Sequence, residues 1–196
     1  MASEKIKSLE KAVRKLHYSP PKTGLNSEPR RKEFLKNFWE YHILSVVEAS
    51  RIMAEKYKAD KEIVHIGALM HDIGSIYSKK DHDIVGAPRA YSILMKRGFG
   101  KKMAKAVSEI ALCHRCKQRN PETLEEKIVA TADAIAHFSP AYYLGLSFIA
   151  NEDYKGLAKN NFKKLIKDYN NKIFFEAEKK KFKKVVKAFK KIFREK

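Results

Sequence analysis

Nowhere in the 196 residues do eighteen apolar residues follow one another, which argues against a membrane-spanning helix. Alternating apolar and polar runs of strand length are missing too, so no β-sheet is expected. Cysteine is scarce: Cys113 and Cys116 are too few for a disulfide framework or, unaided, for a four-cysteine zinc site. They read as reduced thiols that pack as small apolar side chains. Acidic residues are outnumbered, 23 against 42 lysines and arginines, for a formal net charge of +19. Such a chain attracts polyanions, whether nucleic acid, nucleotides or acidic lipid. With no apolar run behind Met1-Ala2-Ser3-Glu4-Lys5, the expectation is a soluble, cytoplasmic protein.

What is present is helical periodicity. Ile6, Leu9, Val13 and Leu16 mark a short leading helix, and Pro20, Pro21 and Gly24 break it. One long helix is then expected from residue 29 to about 57, with Leu35, Phe38, Trp39, Val46 and Met53 on a face that also carries His42. Asp60 is placed to cap a second helix whose mostly apolar body, through Met70, should run through the centre of the fold. Gly74 is expected to end it in a left-handed conformation. Further helices are predicted over 84–97, with Pro88 inside its first turn, and over 101–114. Thr123 and Glu126 form a capping box for a helix reaching about residue 138. Beyond Pro140 come a short apolar helix over 142–150, an amphipathic one over 153–169 and a last one from 171. The fold class is all-α: a helical bundle over 29–150, preceded by a helix and loop over 1–28 and followed by a basic helical extension over 151–196.

His71-Asp72, at the inner end of the central apolar helix, is the organising pair. An ionised carboxylate closing so apolar a helix would cost several kcal/mol without a cation or donors to meet it. Imidazole and carboxylate together suit a divalent metal held by mixed nitrogen and oxygen ligands. His42, His82, His114 and Asp133 can each be placed on or beside a helix facing inward. Taken singly, His42 would be a core histidine and His82 a loop residue. Asp133, set among alanines, has no side-chain partner in its own stretch. His137, one turn further on, is either a group supporting the metal ligands or part of the core. Arg115, Lys117 and Arg119 follow His114, as a phosphate pocket beside a metal would need, although a basic helix end is also favoured by the helix dipole.

The order His42, His71-Asp72, His82, His114, Asp133 resembles the HD-domain superfamily of metal-dependent phosphohydrolases. The likeness includes Gly67-Ala68-Leu69-Met70-His71-Asp72-Ile73-Gly74, His82 followed by Gly86-Ala87, His114-Arg115, and Thr131-Ala132-Asp133-Ala134-Ile135. It covers about residues 34–138. The resemblance implies that His42, His71, Asp72 and Asp133 hold one metal. In the two-metal branch His82 and His114 would hold a second, with Asp72 bridging, and Asp72, His82 and His114 would serve catalysis. It further implies hydrolysis of a phosphomonoester or phosphodiester, a nucleotide or related small phosphate, by a metal-activated water. Lys79, Lys80, Arg115 and Lys117 are candidates for holding the substrate's phosphates. The ligand types suit Mn²⁺ or Fe, with Mg²⁺, Co²⁺, Ni²⁺ and Zn²⁺ also open and one or two ions per chain. Ser75 stands where many phosphodiesterase relatives carry lysine, and no Gly-Tyr-Pro signature is present.

From residue 171 onward eleven basic residues face three glutamates, with Phe182, Val185, Val186, Phe189, Ile192 and Phe193 along the apolar side. The alternative reading is therefore a nucleic-acid-binding or RNA-processing protein that grips through this helix. On that reading removal of 172–196 abolishes nucleic-acid binding. On the enzyme reading activity survives the removal.

Overall fold

The computed structural model describes residues 4–22, 26, 29–139, 141–142 and 154–192. Among them there is no strand, and the all-α expectation holds. The helices are α1 (Glu4–Tyr18), α2 (Pro29–Phe38), α3 (Leu44–Tyr57), α4 (Lys61–Met70), α5 (His82–Lys96), α6 (Lys101–Cys113), α7 (Leu124–Ala136), α8 (Tyr154–Lys172) and α9 (Glu176–Ile192). The expected apolar helix over 142–150 lies mostly outside the described residues.

Helix α4 is the hub because nearly its whole length is apolar. Asp60 caps it, its carboxylate accepting from the N–H groups of Glu62 and Ile63 at 3.0 Å each. Val64, Ile66, Ala68, Leu69 and Met70 are fully buried, each large aliphatic worth roughly 1.5–3 kcal/mol. On one flank Ile66, Leu69 and Met70 join the core formed with Leu9, Val13, Leu35, Trp39 and Leu94. On the other, Val64 and Ala68 meet Val46, Met53, Ile110, Ile128 and Val129. Gly67 permits the approach of α6, since a Cβ there would lie 2.6 Å from Ile110 Cδ1.

Three local features depart from the expectations. The single helix over 29–57 is interrupted by a π-turn, Trp39–Ile43, which buries Trp39, His42 and Ile43. An extra residue in one turn rotates the rest of the helix, and such turns gather at functional sites. Gly74 is not left-handed, Gly98 being the described glycine with positive φ. It sits in the 3₁₀ turn Ile73–Ile76, where a Cβ would lie 2.0 Å from the His82 carbonyl oxygen and 2.6 Å from Gly86 N. Glycine is needed there for backbone contact with α5. That contact brings the start of α5 against the His71-Asp72 corner. Because α5 begins at His82, Pro88 falls in its second turn rather than its first, leaving the Ile84 carbonyl without that helical N–H donor.

The capping box of α7 forms in full, Thr123 Oγ1 accepting from Glu126 N at 3.2 Å and Glu126 Oε2 from Thr123 N at 3.2 Å. Helices α8 and α9 dock on the far end of α7 through Ala134, Phe138, Leu165, Ile173 and Val186. Thr131 Oγ1 donates to the Lys172 carbonyl at 3.1 Å and accepts from Phe174 N at 3.1 Å. The chain breaks between α8 and α9 over residues 173–175, where the sequence pattern predicts a single helix from 171. Among the described residues no helix is long and apolar enough to cross a membrane.

Candidate metal centre

The six residues singled out from sequence converge on one point. The π-turn supplies His42, the end of α4 supplies His71 and Asp72, the first residue of α5 is His82, the cap of α6 is His114, and α7 contributes Asp133. Asp72 stands between two pairs of imidazoles. Its Oδ2 lies 3.4 Å from His42 Nε2 and 3.5 Å from His71 Nε2. Its Oδ1 lies 3.1 Å from His82 Nε2 and 3.4 Å from His114 Nε2. Asp133 Oδ1 approaches the first pair, 3.3 Å from His42 and 3.8 Å from His71.

The orientation of the rings is set by the helix ends that carry them. His71 Nδ1 donates to the Ala68 carbonyl at 2.8 Å, His114 Nδ1 to Ala111 at 2.8 Å and His82 Nδ1 to Lys79 at 3.2 Å. Each is a bond back to a residue three positions earlier, open to a side chain where a helix or turn ends. It fixes the tautomer and turns Nε2 toward the carboxylates. Burial drives His71 down to about 3 and also lowers His82. Burial acts on His42 too, but the carboxylates of Asp133 and Asp72 outweigh it and raise that ring. Asp72 is held well below the usual carboxylate range against burial, chiefly by His82 and His71.

This set fits a divalent ion. An uncharged imidazole that has given its Nδ1–H to a carbonyl presents a lone pair at Nε2, and a lone pair facing a carboxylate oxygen is repulsive unless a cation lies between them. Asp72 Oδ1 is buried and has no hydrogen-bond donor, a costly state for an ionised oxygen. His42, His71 and Asp72 form one group of ligand atoms within 4.8 Å of each other, and Asp72, His82 and His114 form another.

Above the cluster opens a cavity of about 350 Å³. Of the four cations expected at the phosphates, Lys79, Arg115 and Lys117 line it and Lys80 does not. Lys80 is exposed and offers instead its carbonyl to Arg115 Nη1 at 2.7 Å. The same nitrogen of Arg115 pairs with the buried Asp83 at 2.8 Å, so much of its charge is spent inside the protein. Lys117 Nζ lies 3.4 Å from Asp81.

The rest of the cationic wall was missed from sequence: Arg31 from α2, and Lys164, Lys167 and Lys172 from α8. Lys172, 4% exposed, pairs closely with Asp133 Oδ2. Burial opposes its charge, but Asp133 and Asp168 overcome that and raise it. Asp168 is buried as well and bonds His137 Nδ1 at 2.8 Å and Lys164 Nζ at 2.5 Å. The only sequence signal for this layer was an i, i+4 pair, Lys164 and Asp168, in a helix dense with lysine. The Cys113 thiol is buried and pushed up to about 12, and both cysteines are free.

A ring of imidazoles and carboxylates at the junction of short helices defines the class. The HD domain model matches residues 39–137, about half of the chain, and the protein belongs to that family. A tRNA (cytidine(56)-2'-O)-methyltransferase of Picrophilus torridus is 36% identical over 104 residues, covering 47% of this chain and 29% of that protein. Ribonuclease Y of Deinococcus radiodurans is 33% identical over 99 residues, covering 50% of this chain and 16% of its own length. The chain thus spans well under two thirds of either relative. Among solved structures, Bacillus subtilis YpgQ superposes with a TM-score of 0.61 at 17% identity, over 96% of this chain and 97% of that one, and the same protein is known in complex with ADP. At that identity the likeness establishes the fold.

Proposed function

We propose that the protein is a metal-dependent phosphohydrolase acting on a nucleotide or a similarly sized phosphoester, with Mn²⁺ or Fe in the centre. The observation that carries this reading is Asp72, whose two oxygens each face two imidazoles, with one of those oxygens buried and undonated. His42, His71, Asp72 and Asp133 would hold one ion and His82 and His114, with Asp72, a second; when bound, such ions would polarise a phosphoryl oxygen and make a water nucleophilic near neutral pH.

The chain's own groups do the rest. Lys79, Lys117 and Lys167 line the cavity and would neutralise phosphate charge as it enters. Arg31 is anchored on the Ser75 carbonyl and holds the floor between α2 and the 3₁₀ turn. Phe34 and Phe38, stacked with centroids 5.3 Å apart, give the cavity an apolar side against which a base or sugar can rest. The ADP complex of YpgQ supports a nucleotide over a larger substrate.

The test is turnover of a panel of nucleoside mono-, di- and triphosphates and phosphodiesters by metal-loaded protein, beside elemental analysis of wild type and the His82→Ala/His114→Ala double variant. About two ions per chain falling to one, with hydrolysis lost, is the expected result. No metal after reconstitution overturns the reading.

The alternative, RNA binding, is favoured by seven lysines of α9 that are exposed, Lys180, Lys181, Lys183, Lys184, Lys187, Lys190 and Lys191, and by the RNA-related names of two relatives. Removing 172–196 would not separate the readings, because it takes away Lys172 and the docked Ile173 and Val186. Replacing Lys180, Lys184, Lys187 and Lys191 by glutamate does separate them: hydrolysis of small substrates persists, and any salt-sensitive RNA binding is lost.

A further inference from the structure

We propose that His137 is a fifth imidazole ligand of the metal centre, on its Asp133 side, positioned by Asp168. This rests on the reading of the cluster as a metal site and extends the ligand set beyond the six residues that the family resemblance supplies.

The argument is one of repeated geometry. At His71, His82 and His114, Nδ1 is tied to an acceptor outside the cluster while Nε2 points at a carboxylate oxygen inside it. His137 does the same. Its Nδ1 lies 2.8 Å from Asp168 Oδ2 and its Nε2 lies 3.1 Å from Asp133 Oδ1. Its ring is parallel to that of His42, 5.1 Å away with 6° between planes, and the Nε2 atoms of both converge on that single oxygen. The ligand atoms of His42, Asp133 and His137 all fall within 4.8 Å of one another.

We place the proton on Nδ1, where the buried Asp168 carboxylate accepts it. With the proton on Nε2 instead, two lone pairs would face each other at 2.8 Å between Nδ1 and Asp168. Lys164 Nζ, 3.0 Å from Nδ1, donates to the same Asp168 oxygen. That leaves an Nε2 lone pair facing Asp133 Oδ1, the situation already met at Asp72. Both carboxylates already have a cationic partner, Lys172 at Asp133 and Lys164 at Asp168. With its Oδ2 taken by Lys172, Asp133 turns Oδ1 alone toward the imidazoles. A carboxylate behind a histidine is the arrangement that orients a ligating ring and raises its basicity.

The experiment uses full-length protein loaded with Co²⁺ alone. Each histidine that ligates through Nε2 and keeps Nδ1–H contributes one exchangeable, hyperfine-shifted N–H proton resonance. Five are expected in the wild type, one of them absent in His137→Gln, whose Co²⁺ affinity should fall roughly 10- to 100-fold with a changed visible spectrum. Asp168→Asn should shift the same resonance and weaken binding in the same direction. Four resonances in the wild type, or Co²⁺ affinity and spectrum unchanged in a folded His137→Gln, would overturn the assignment while leaving the phosphohydrolase reading intact. Failure of the wild type to bind any metal would bring down both.

Discussion

Asp72 and Asp133 are both buried carboxylates in one cluster, yet the protein treats them differently. Among the described residues Asp72 meets four imidazoles and no lysine or arginine. Asp133 has the ammonium of Lys172 against one oxygen and imidazoles against the other. Asp72 arises from the α4 corner, where Gly74 and Gly86 bring two backbones together. Asp133 rests on α7 beneath α8, and its compensating charge comes from that later helix. The first carboxylate has only imidazoles against it among the described residues, and the second is neutralised largely by Lys172. The contrast predicts that the two sides respond differently to mutation and to metal.

The largest effect is expected at Asp72. Asp72→Ala should lower bound metal and reduce any phosphohydrolase turnover by about 10³-fold or more, since two of the three ligand groups lose their shared member. Elemental analysis and turnover check it, and retention of two ions would break the contrast. Next is Lys172→Met, which strands Asp133. It should cost about 3–5 kcal/mol in urea denaturation of the metal-free protein, with part of the loss recovered on adding Mn²⁺. An equal loss with and without metal would show that the two carboxylates share one source of compensation.

His17 offers a buried imidazole away from the cluster. Its Nδ1 lies 3.0 Å from the Val13 carbonyl, its ring packs at 5.5 Å from Trp39, and burial pushes it down to about 4. Because the folded pKa lies below the unfolded value near 6.5, the unfolded chain takes up the proton first, and stability is lost as pH falls from 6.5 toward 4. The difference between wild type and His17→Gln over that window should reach about 3 kcal/mol, read from urea denaturation at several pH values. A flat difference would show that the buried ring takes up its second proton as readily as it does in the unfolded chain. The smallest effect is expected at Gly86→Ala. Its Cβ would lie 3.1 Å from Gly74 N, a tight contact offset by helix propensity of about 1 kcal/mol, so stability should stay within about 1 kcal/mol of wild type. Gly74→Ala, with backbone only 2.0 Å from the new carbon, should instead disrupt the corner and with it metal binding.

By itself the sequence indicated most of the described helices and named His42, His71, Asp72, His82, His114 and Asp133 as residues that could meet. Helical periodicity, the Asp60 cap and the Thr123 box report local physics, and each histidine of that set stands at a helix end or on an apolar stripe where few other side chains compete. The role of Gly74 was legible as a glycine but misread as a left-handed stop, because the need for it comes from α5 and not from its own turn. The π-turn at His42 was invisible, since one extra residue barely disturbs an apolar stripe. Lys172, Asp168 and Lys164 could not be told from the many lysines and occasional acids around them. What distinguishes them is burial against α7, and burial of a charge is decided by which distant surface it meets. Only the tertiary structure could supply that partner.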